Sequence, residues 1–511
     1  MADIQSLRLA TILFAFTALY GNANTPTAQV IEHLKQSFNT TKNAILNHKK
    51  IALATSICAG IAYYTLTNAP QKPLHWDWNS VVCLPQFPQD FLFGAATSAQ
   101  QVEGNNDNNN WSVWEKKPDK KTGKQRVEEP AGIACNQWNV YKKDIKLLND
   151  IGANAYRFSV EWSTIEPQEG IFDQDAINHY KNVCKTLVAQ NIKPCITLHH
   201  YTDPIWFVKK GGFEKKENID YFVRFAQKVF EELHESTHIW FTFNSPDGYA
   251  SRGWLIGNAP PGKKNIALMA EVYKNILEAH VRTYRTIKET PHGTQAQIGI
   301  LKNMHQIDPW NAWNPLDVIA SKFATKITDS CFFDFFTQGI FTSYIPFKVN
   351  VTHTNEQAIG ALDFVGINYY SHRYMKNFEL IPHPDEPKTD NENYTVYPEG
   401  LYRAIEEVSD SMAKPLNIPM YVTENGIATE NEELREEFLK KYLCALSHAI
   451  NDGHDVRGYI HWSLLDNYEW GTYKKKYGLY NVDRATQERT LKPGSIHYKE
   501  IIEEHNRNST D

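Results

Sequence analysis

The chain has 511 residues, of which 42% are hydrophobic and 22% are charged, as expected for a globular protein with a substantial core. Its formal net charge of −6 is too small to indicate a nucleic-acid partner or an acidic substrate. Basic clusters such as Lys474-Lys475-Lys476 are interpreted as solvated loops. The length suits two or three average domains or one large barrel.

The seven cysteines form no C-x-x-C pair, so neither a zinc site nor a redox motif is supported. Their odd number does not suggest a disulfide framework, and most are expected to be small buried hydrophobic residues. They are Cys58, Cys83, Cys135, Cys184, Cys195, Cys331 and Cys444. No metal and no cofactor is predicted.

Two apolar segments begin the chain. Leu9–Tyr20 follows Arg8 and precedes the small residues Gly21-Asn22-Ala23, a pattern typical of a signal peptide. Ile51–Thr67 is uncharged but short for a membrane-spanning helix, which needs about 17–25 apolar residues. Residues 1–74 are therefore interpreted as a signal or membrane anchor followed by a linker.

The stretch between these segments favours an anchor over a cleaved signal. Ala28–Leu46 has the apolar spacing of an amphipathic helix that lies on a membrane. Lys42, Lys49 and Lys50 precede the second segment and favour a cytoplasmic N-terminus, with the globular domain on the non-cytoplasmic side. Membrane association through the N-terminus is the prediction, and secretion is the alternative.

Prolines between Pro70 and Pro88 mark a boundary, so one domain is predicted over residues 75–505, with a tail at 506–511. Short β-like segments there alternate with longer helical patterns, which predicts a single (β/α)8 TIM barrel. A doubly wound sheet is disfavoured because no G-x-G-x-x-G follows the first strand. The predicted strands are Phe91–Thr97, Ala155–Val160, Lys193–His199, Ile239–Asn244, Gln297–Asn303, Asp363–Tyr370, Ile418–Glu424 and Arg457–Trp462. The predicted helices are Asn136–Ile151, Gln174–Gln190, Ile219–His234, Ala267–Lys288 and Glu432–Asn451, and the longest βα loops are Gly104–Arg126, Pro246–Lys264 and His372–Pro398.

Most of the predicted strands end in a polar or aromatic side chain. In a TIM barrel the catalytic groups project from the carboxyl ends of the strands, so these side chains are expected to meet at one rim. Such a rim, with one carboxylate and several amides and rings, suits the binding of a polyol. Its members are Gln101, Arg157, His199, His200, Asn244, Ser245, Asn303, Asn368, Tyr370, Glu424 and Trp462.

From about Phe91 to about Tyr498 the chain resembles glycoside hydrolase family 1, the β-glucosidase and myrosinase family. The resemblance rests on long motifs in family order. They are FLFGAATSAQQVEG at residues 91–104, YRFS at 156–159, TLHH at 197–200, GINYY at 366–370, TENG at 423–426, HWSLLDNYEW at 461–470 and YGL at 477–479. The family implies a TIM barrel and retaining hydrolysis of a β-glycoside or oligosaccharide.

The resemblance also implies roles for individual residues. Glu424 corresponds to the nucleophile, and Arg157 and Tyr370 to the neighbours that hold its carboxylate ionised. Trp462 corresponds to the platform under the sugar ring, and Asn368 belongs to the same rim. The residues expected to hold sugar hydroxyls are Gln101, His200, Asn244, Glu469 and Trp470. This set suits a glucose- or galactose-type ring.

One position departs from the family pattern. Where the family has Thr-Phe-Asn-Glu-Pro, this chain has Ser245 in place of the acid/base glutamate. A serine hydroxyl cannot act as a general acid near neutral pH, and the loss of that step costs about 10²–10⁴-fold in rate. Three hypotheses follow: a β-glycosidase for good leaving groups, a transglycosylase or slow hydrolase with a substitute donor such as Asp247 or Asp203, and a sugar-binding or receptor-like protein.

Overall fold

A computed structural model describes residues 73–83, 86–119, 122–345 and 348–508. Within these residues, the barrel strands are β1 (Leu92–Ala96), β2 (Ala155–Ser159), β3 (Lys193–His199), β4 (Ile239–Asn244), β5 (Gln297–Pro309), β8 (Phe364–Lys376), β10 (Met420–Asn425) and β11 (Val456–Trp462). These eight parallel strands close into a barrel in the order β1-β2-β3-β4-β5-β8-β10-β11, with β11 pairing with β1. The predicted TIM barrel is confirmed.

The barrel helices cover the outside of the strands. The longer ones are α3 (Gln137–Asp150), α5 (Gln174–Val188), α7 (Ile219–Leu233), α9 (Ile266–Lys288), α10 (Pro315–Thr325), α11 (Cys331–Gln338), α12 (Glu399–Val408), α14 (Glu432–Asn451) and α15 (Ile496–Asn508). Short helices are α1 (Ala99–Val102), α2 (Asn110–Lys116), α4 (Trp162–Ile165), α6 (Ile205–Lys209), α8 (Pro246–Ala250) and α13 (Lys414–Leu416). The five predicted helices match α3, α5, α7, α9 and α14 to within two residues at each end.

Two strands are longer than the sequence pattern indicated. The predictions end at Asn303 and Tyr370, but β5 continues to Pro309 and β8 to Lys376, and they pair beyond the barrel. β8 then turns back into β9 (Glu379–Ile381). The long βα loop predicted at His372–Pro398 therefore begins only after Lys376. Polar residues such as His372 masked the strand, because its pairing is supplied by a distant segment.

Two small antiparallel pairs complete the described sheets. β6 (Ile340–Ile345) pairs with β7 (Val349–Thr354), and β12 (Tyr480–Val482) pairs with β13 (Arg489–Leu491). Both pairs are separate two-stranded sheets and leave the strand order of the barrel unchanged.

The hydrophobic core has two layers. Inside the barrel, Leu92, Phe241 and Phe364 belong to a buried cluster that also includes Trp462. A larger cluster lies between strands and helices, where the aromatic side chains of Trp162 and others pack. Because apolar side chains fill the barrel interior, the polar strand ends are available only at the rim.

Residues 73–83 pack against the outside of α12 and α14. The Trp76 amide and the Trp78 indole both donate to Glu399 Oε1, at 2.9 and 3.0 Å. A disulfide joins Cys83 to Cys444 of α14, with 5.2 Å between the Cα atoms. The sequence interpretation missed this bond, because only the fold brings together two residues 361 positions apart.

The other cysteines of the described part agree with the sequence interpretation. Cys135, Cys184, Cys195 and Cys331 are free and buried. Both predicted N-terminal segments, including Ile51–Thr67, lie outside the described residues. Among the helices that are described, none has the length and apolar character needed to cross a membrane.

We expect the disulfide to stabilise the fold. In Cys83→Ser the link to α14 is lost, which should lower the free energy of unfolding by about 2–4 kcal/mol. When dithiothreitol is added, the melting temperature of the wild type should fall to the value measured for the variant. The melting temperature of the variant should not change. A wild-type melting temperature that is insensitive to the reductant would contradict this expectation.

Candidate active site

The register of the strands brings the predicted rim residues together. Asn303 of β5 and Glu424 of β10 both pair with Asn368 of β8, and Asn244 of β4 lies beside Leu301. On the other side Ala96 of β1 lies between Arg157 and Trp462. The carboxyl ends of the barrel strands thus form one continuous polar rim.

Glu424 lies at the centre of this rim, and its side chain accepts two hydrogen bonds. Arg157 Nη1 donates to Oε1 at 2.6 Å, and the Tyr370 hydroxyl donates to Oε2 at 2.8 Å. The carboxylate is 5% exposed and Arg157 is completely buried. A cation and a phenol therefore fix the orientation of the carboxylate and stabilise its negative charge.

Arg157 also connects Glu424 to the neighbouring strands. Its Nη2 donates to Asn244 Oδ1 at 2.8 Å, and its Nε donates to Thr197 Oγ1 at 3.0 Å. Nη1 makes a further bond to the Thr423 carbonyl at 3.1 Å. Sequence reasoning assigned no role to Thr197 or Thr423, although both stand in the quoted motifs, and Thr423 contributes only its backbone carbonyl to this contact.

Ser245 follows the end of β4 and is buried, with 3% of its surface exposed. Its hydroxyl accepts a hydrogen bond from Asn368 Nδ2 at 2.9 Å, and the same amide group donates to Asn244 Oδ1 at 2.9 Å. Its backbone is left-handed, with φ of 41°. Such a conformation in a residue other than glycine costs about 1–3 kcal/mol and often marks a functional site.

A wall of rings stands beside these polar groups. The His200 ring is nearly parallel to the Trp462 and Trp470 rings, with centroids 5.6 and 6.0 Å away. Asn244 Nδ2 is 3.2 Å from His200 Nε2, while His200 Nδ1 is buried without a partner among the described residues. Burial, followed by the charges of Arg157 and His199, lowers the pKa of His200 well below its usual value, so the ring is neutral.

Glu469 is the second carboxyl group of the rim. It accepts a hydrogen bond from Trp462 Nε1 at 3.1 Å. Burial, with a contribution from the charge of Glu424, raises the pKa of Glu469 to about 7. This group can therefore be a hydrogen-bond donor in its acid form or an acceptor in its ionised form near neutral pH.

The sequence profile of glycosyl hydrolase family 1 matches residues 84–507. The chain belongs to this family. A 1,4-beta-D-glucan glucohydrolase of Thermotoga neapolitana is 30% identical over 448 residues, which are 82% of this chain and 98% of that protein.

Two solved structures resemble the fold closely. A beta-glycosidase from Pyrococcus horikoshii is 36% identical and superposes with a TM-score of 0.74, covering 82% of this chain and 96% of that one. A beta-glucosidase from Thermotoga maritima in complex with glucoimidazole is 28% identical with a TM-score of 0.73, covering 83% and 100%. The predicted membership of family 1 is confirmed.

Within this family 1 barrel, Gln101 has a structural connection that the sequence did not reveal. Its Nε2 donates to Asn467 Oδ1 and to the Tyr468 carbonyl, both at 2.9 Å, and its Oε1 accepts from Ser98 at 2.6 Å. Both amide hydrogens are thus used to hold the loop that carries Glu469 and Trp470. Only the Gln101 carbonyl retains the capacity to accept from a sugar hydroxyl.

The two acids considered as substitute proton donors are held away from such a role. Asp203 accepts from His199 Nε2 at 3.0 Å, from Asn110 Nδ2 at 3.1 Å and from the Tyr249 hydroxyl. Asp247 forms a buried ion pair with Lys302 at 3.1 Å. Either would have to break buried contacts to reach the site.

Three residues at the mouth of the site, Tyr394, Arg373 and Arg252, were absent from the predicted set. Tyr394 stacks on Tyr370 with 6.0 Å between ring centroids, and Arg373 lies over Tyr394. Arg252 lies over Trp111, which in turn contacts Trp470. These residues come from the long βα loops and the extension of β8, whose positions no sequence periodicity indicates.

In the part of the chain that is described, no cluster of three metal-ligating residues occurs.

The half-buried Glu469 should make stability depend on pH. Because the pKa is raised from 4.5 to about 7, the folded state retains a proton that the unfolded chain loses. The associated stability is complete below pH 4.5 and disappears as the pH rises through 7. The melting temperature of Glu469→Gln minus that of the wild type should therefore be larger at about pH 8 than at about pH 5. The exposed substitution Glu433→Gln is the control, and an equal difference at both pH values would refute the expectation.

Proposed function

We propose that this protein is a retaining β-glycosidase that removes a terminal β-D-glucosyl- or galactosyl-type residue through a glycosyl-enzyme on Glu424. The observation that carries the proposal is the Glu424 carboxylate, held by Arg157 and Tyr370 beside a pocket of rings and amides. The family relatives called β-glucosidases support the substrate class.

The first chemical step follows from this geometry. A Glu424 oxygen attacks the anomeric carbon and forms an ester, while the bond to the aglycone breaks and the aglycone takes the electron pair. Arg157 and Tyr370 keep the carboxylate oriented toward that carbon. Asn244 is placed to bond the sugar 2-hydroxyl, a contact that strengthens as the ring becomes oxocarbenium-like.

The remaining pocket residues hold the sugar. Trp462 forms the platform beneath the ring, and His200, with its unpaired Nδ1, offers a hydrogen bond to a hydroxyl. Glu469 and Trp470 face the far side of the ring, and Gln101 contributes its carbonyl. Asn368 acts indirectly, since its amide positions both Asn244 and Ser245.

Ser245 limits the choice of aglycone. It offers no carboxylic acid to protonate the leaving oxygen, so the aglycone must depart as a stable anion such as a phenolate. In the second step water attacks the anomeric carbon, the ester bond to Glu424 breaks, and a proton of the attacking water passes to solvent. Without a general base this step is slow, which favours transfer of the sugar to better nucleophiles.

A leaving-group series tests the assigned role of Ser245. For aryl β-glucosides, kcat/KM should rise steeply with the acidity of the phenol, and azide should accelerate turnover. Ser245→Glu should raise activity on poor leaving groups by about 10²-fold or more, because it supplies the missing acid. Ser245→Gln is the matched control, because glutamine is similar in size to glutamate but has no ionisable proton. Full activity of the wild type on cellobiose without azide would refute the missing-acid argument.

A trapping experiment tests the nucleophile. A 2-deoxy-2-fluoro-β-glucoside with a good leaving group should label the protein once, and peptide mapping should place the sugar on Glu424. The Glu424→Gln variant should remain unlabelled. Binding of the fluorosugar to the folded wild type without any label would instead favour the sugar-binding protein.

A further inference from the structure

The hairpin of β6 and β7 has one face packed against the barrel helices and one face toward solvent. Phe341 and Val351 are buried, and the Phe341 ring contacts Tyr273 of α9 with 5.8 Å between the ring centroids. Because successive side chains of a strand point to opposite faces, the alternate positions form an outward face. All six residues of this outward face are exposed: Ile340, Thr342 and Tyr344 of β6, and Asn350, Thr352 and Thr354 of β7.

The outward face carries the sequence Asn350-Val351-Thr352. It matches N-x-[ST], the acceptor pattern for N-linked glycosylation, which is informative where the asparagine lies on the surface and the chain is secreted. The buried Val351 separates the two polar residues, so the Asn350 amide and the Thr352 hydroxyl lie on the same exposed face. The condition that the acceptor lies on the surface is therefore met.

The bond between Cys83 and Cys444 bears on the condition that the chain is secreted. It joins the segment before the barrel to α14, and its Cys83 end is exposed and thus open to reductants. Disulfides form and persist in oxidising compartments and are rare in the cytosol, where thiols are kept reduced. The bond therefore favours a chain that passes through the secretory pathway, where N-linked glycans are also transferred to proteins.

We propose that Asn350 carries an N-linked glycan. The donor is a lipid-linked diphosphate oligosaccharide of the secretory pathway. A bond forms between Asn350 Nδ2 and the anomeric carbon of the first sugar, the bond from that carbon to the diphosphate oxygen breaks, and the diphosphate leaves with the electron pair. One proton of the amide is released, and nothing is oxidised or reduced. The proposal does not depend on catalysis at Glu424.

The residue opposite Asn350 indicates what the glycan covers. The register pairs Asn350 with Tyr344, which is 38% exposed, and Ile340 on the same face is 39% exposed. Directly opposite side chains have Cβ atoms about 4.5–5.5 Å apart, so the first sugar lies within reach of the Tyr344 ring. The apolar face of a pyranose ring that packs on an aromatic ring removes apolar surface of both from water. The glycan thus covers exposed apolar surface of the hairpin.

The matching sequence Asn393-Tyr394-Thr395 lies in a different environment. Thr395 is completely buried, and its hydroxyl donates to Glu386 at 2.6 Å. Its backbone amide donates to Ser371 Oγ at 2.8 Å. These contacts hold the threonine of this motif inside the loop that follows β8. Of these two motifs, only that of Asn350 therefore has both its asparagine and its threonine at the surface of the folded chain.

The test is to map the modified residue in the full-length chain, produced in a secretory eukaryotic cell line. Peptide-N-glycosidase in heavy-oxygen water converts a glycosylated asparagine into labelled aspartate, so the peptide that contains Asn350 should become labelled. Asn350→Gln and Thr352→Ala should each lower the mass of the protein by that of one glycan. Thr352→Ser is the matched control, because it preserves the N-x-[ST] pattern and should keep the glycan. A folded wild-type chain whose Asn350 peptide is unmodified would overturn the proposal.

The contact with Tyr344 has a separate test. An endoglycosidase that leaves the first N-acetylglucosamine on Asn350 should not change the melting temperature. Complete removal by peptide-N-glycosidase should lower it by about 1–2 °C, because the ring is uncovered. In Tyr344→Thr the difference between the trimmed and the fully deglycosylated protein should be smaller. An equal difference with and without the ring would refute the contact, whereas the mapping experiment decides the glycan itself.

Discussion

The buried ion pair between Arg157 and Glu424 is the interaction on which the rest of the site depends. Arg157 projects from β2 and reaches the ends of β3, β4 and β10 with a single guanidinium group. Breaking a buried pair of this kind leaves one uncompensated charge and costs about 3–5 kcal/mol. The closed barrel makes the pair tolerable, since it supplies further hydrogen-bond acceptors to the same cation.

Electrostatics also distinguishes the two carboxyl groups of the rim. The charge of Glu424 is matched by Arg157, whereas burial raises the pKa of Glu469 to about 7, so that this group is partly protonated near neutral pH. In the proposed reaction, the absence of a general acid at Ser245 favours leaving groups that depart as anions.

Much of this could be predicted from the sequence because it depends on local pattern. Two elements have the same first and last residues as predicted: the helix Glu432–Asn451, from its apolar spacing, and the strand Lys193–His199, from its short apolar stretch. The extension of β8 to Lys376 could not be predicted, since its polar residues are stabilised by pairing with β5. The bond between Cys83 and Cys444 was missed for the same reason, a contact between distant segments.

The sequence by itself determined the family and the barrel. It also identified Glu424 and Ser245 as the residues at the nucleophile and acid/base positions of the family pattern, because motifs and periodicity are properties of neighbouring residues. Only the tertiary structure decided how those residues are connected. It showed that Gln101 is bonded to the loop of Glu469 and that Asp203 and Asp247 are engaged in buried contacts. Each depends on which side chains from separate strands and loops come within bonding distance, and that is set by the closure of the barrel.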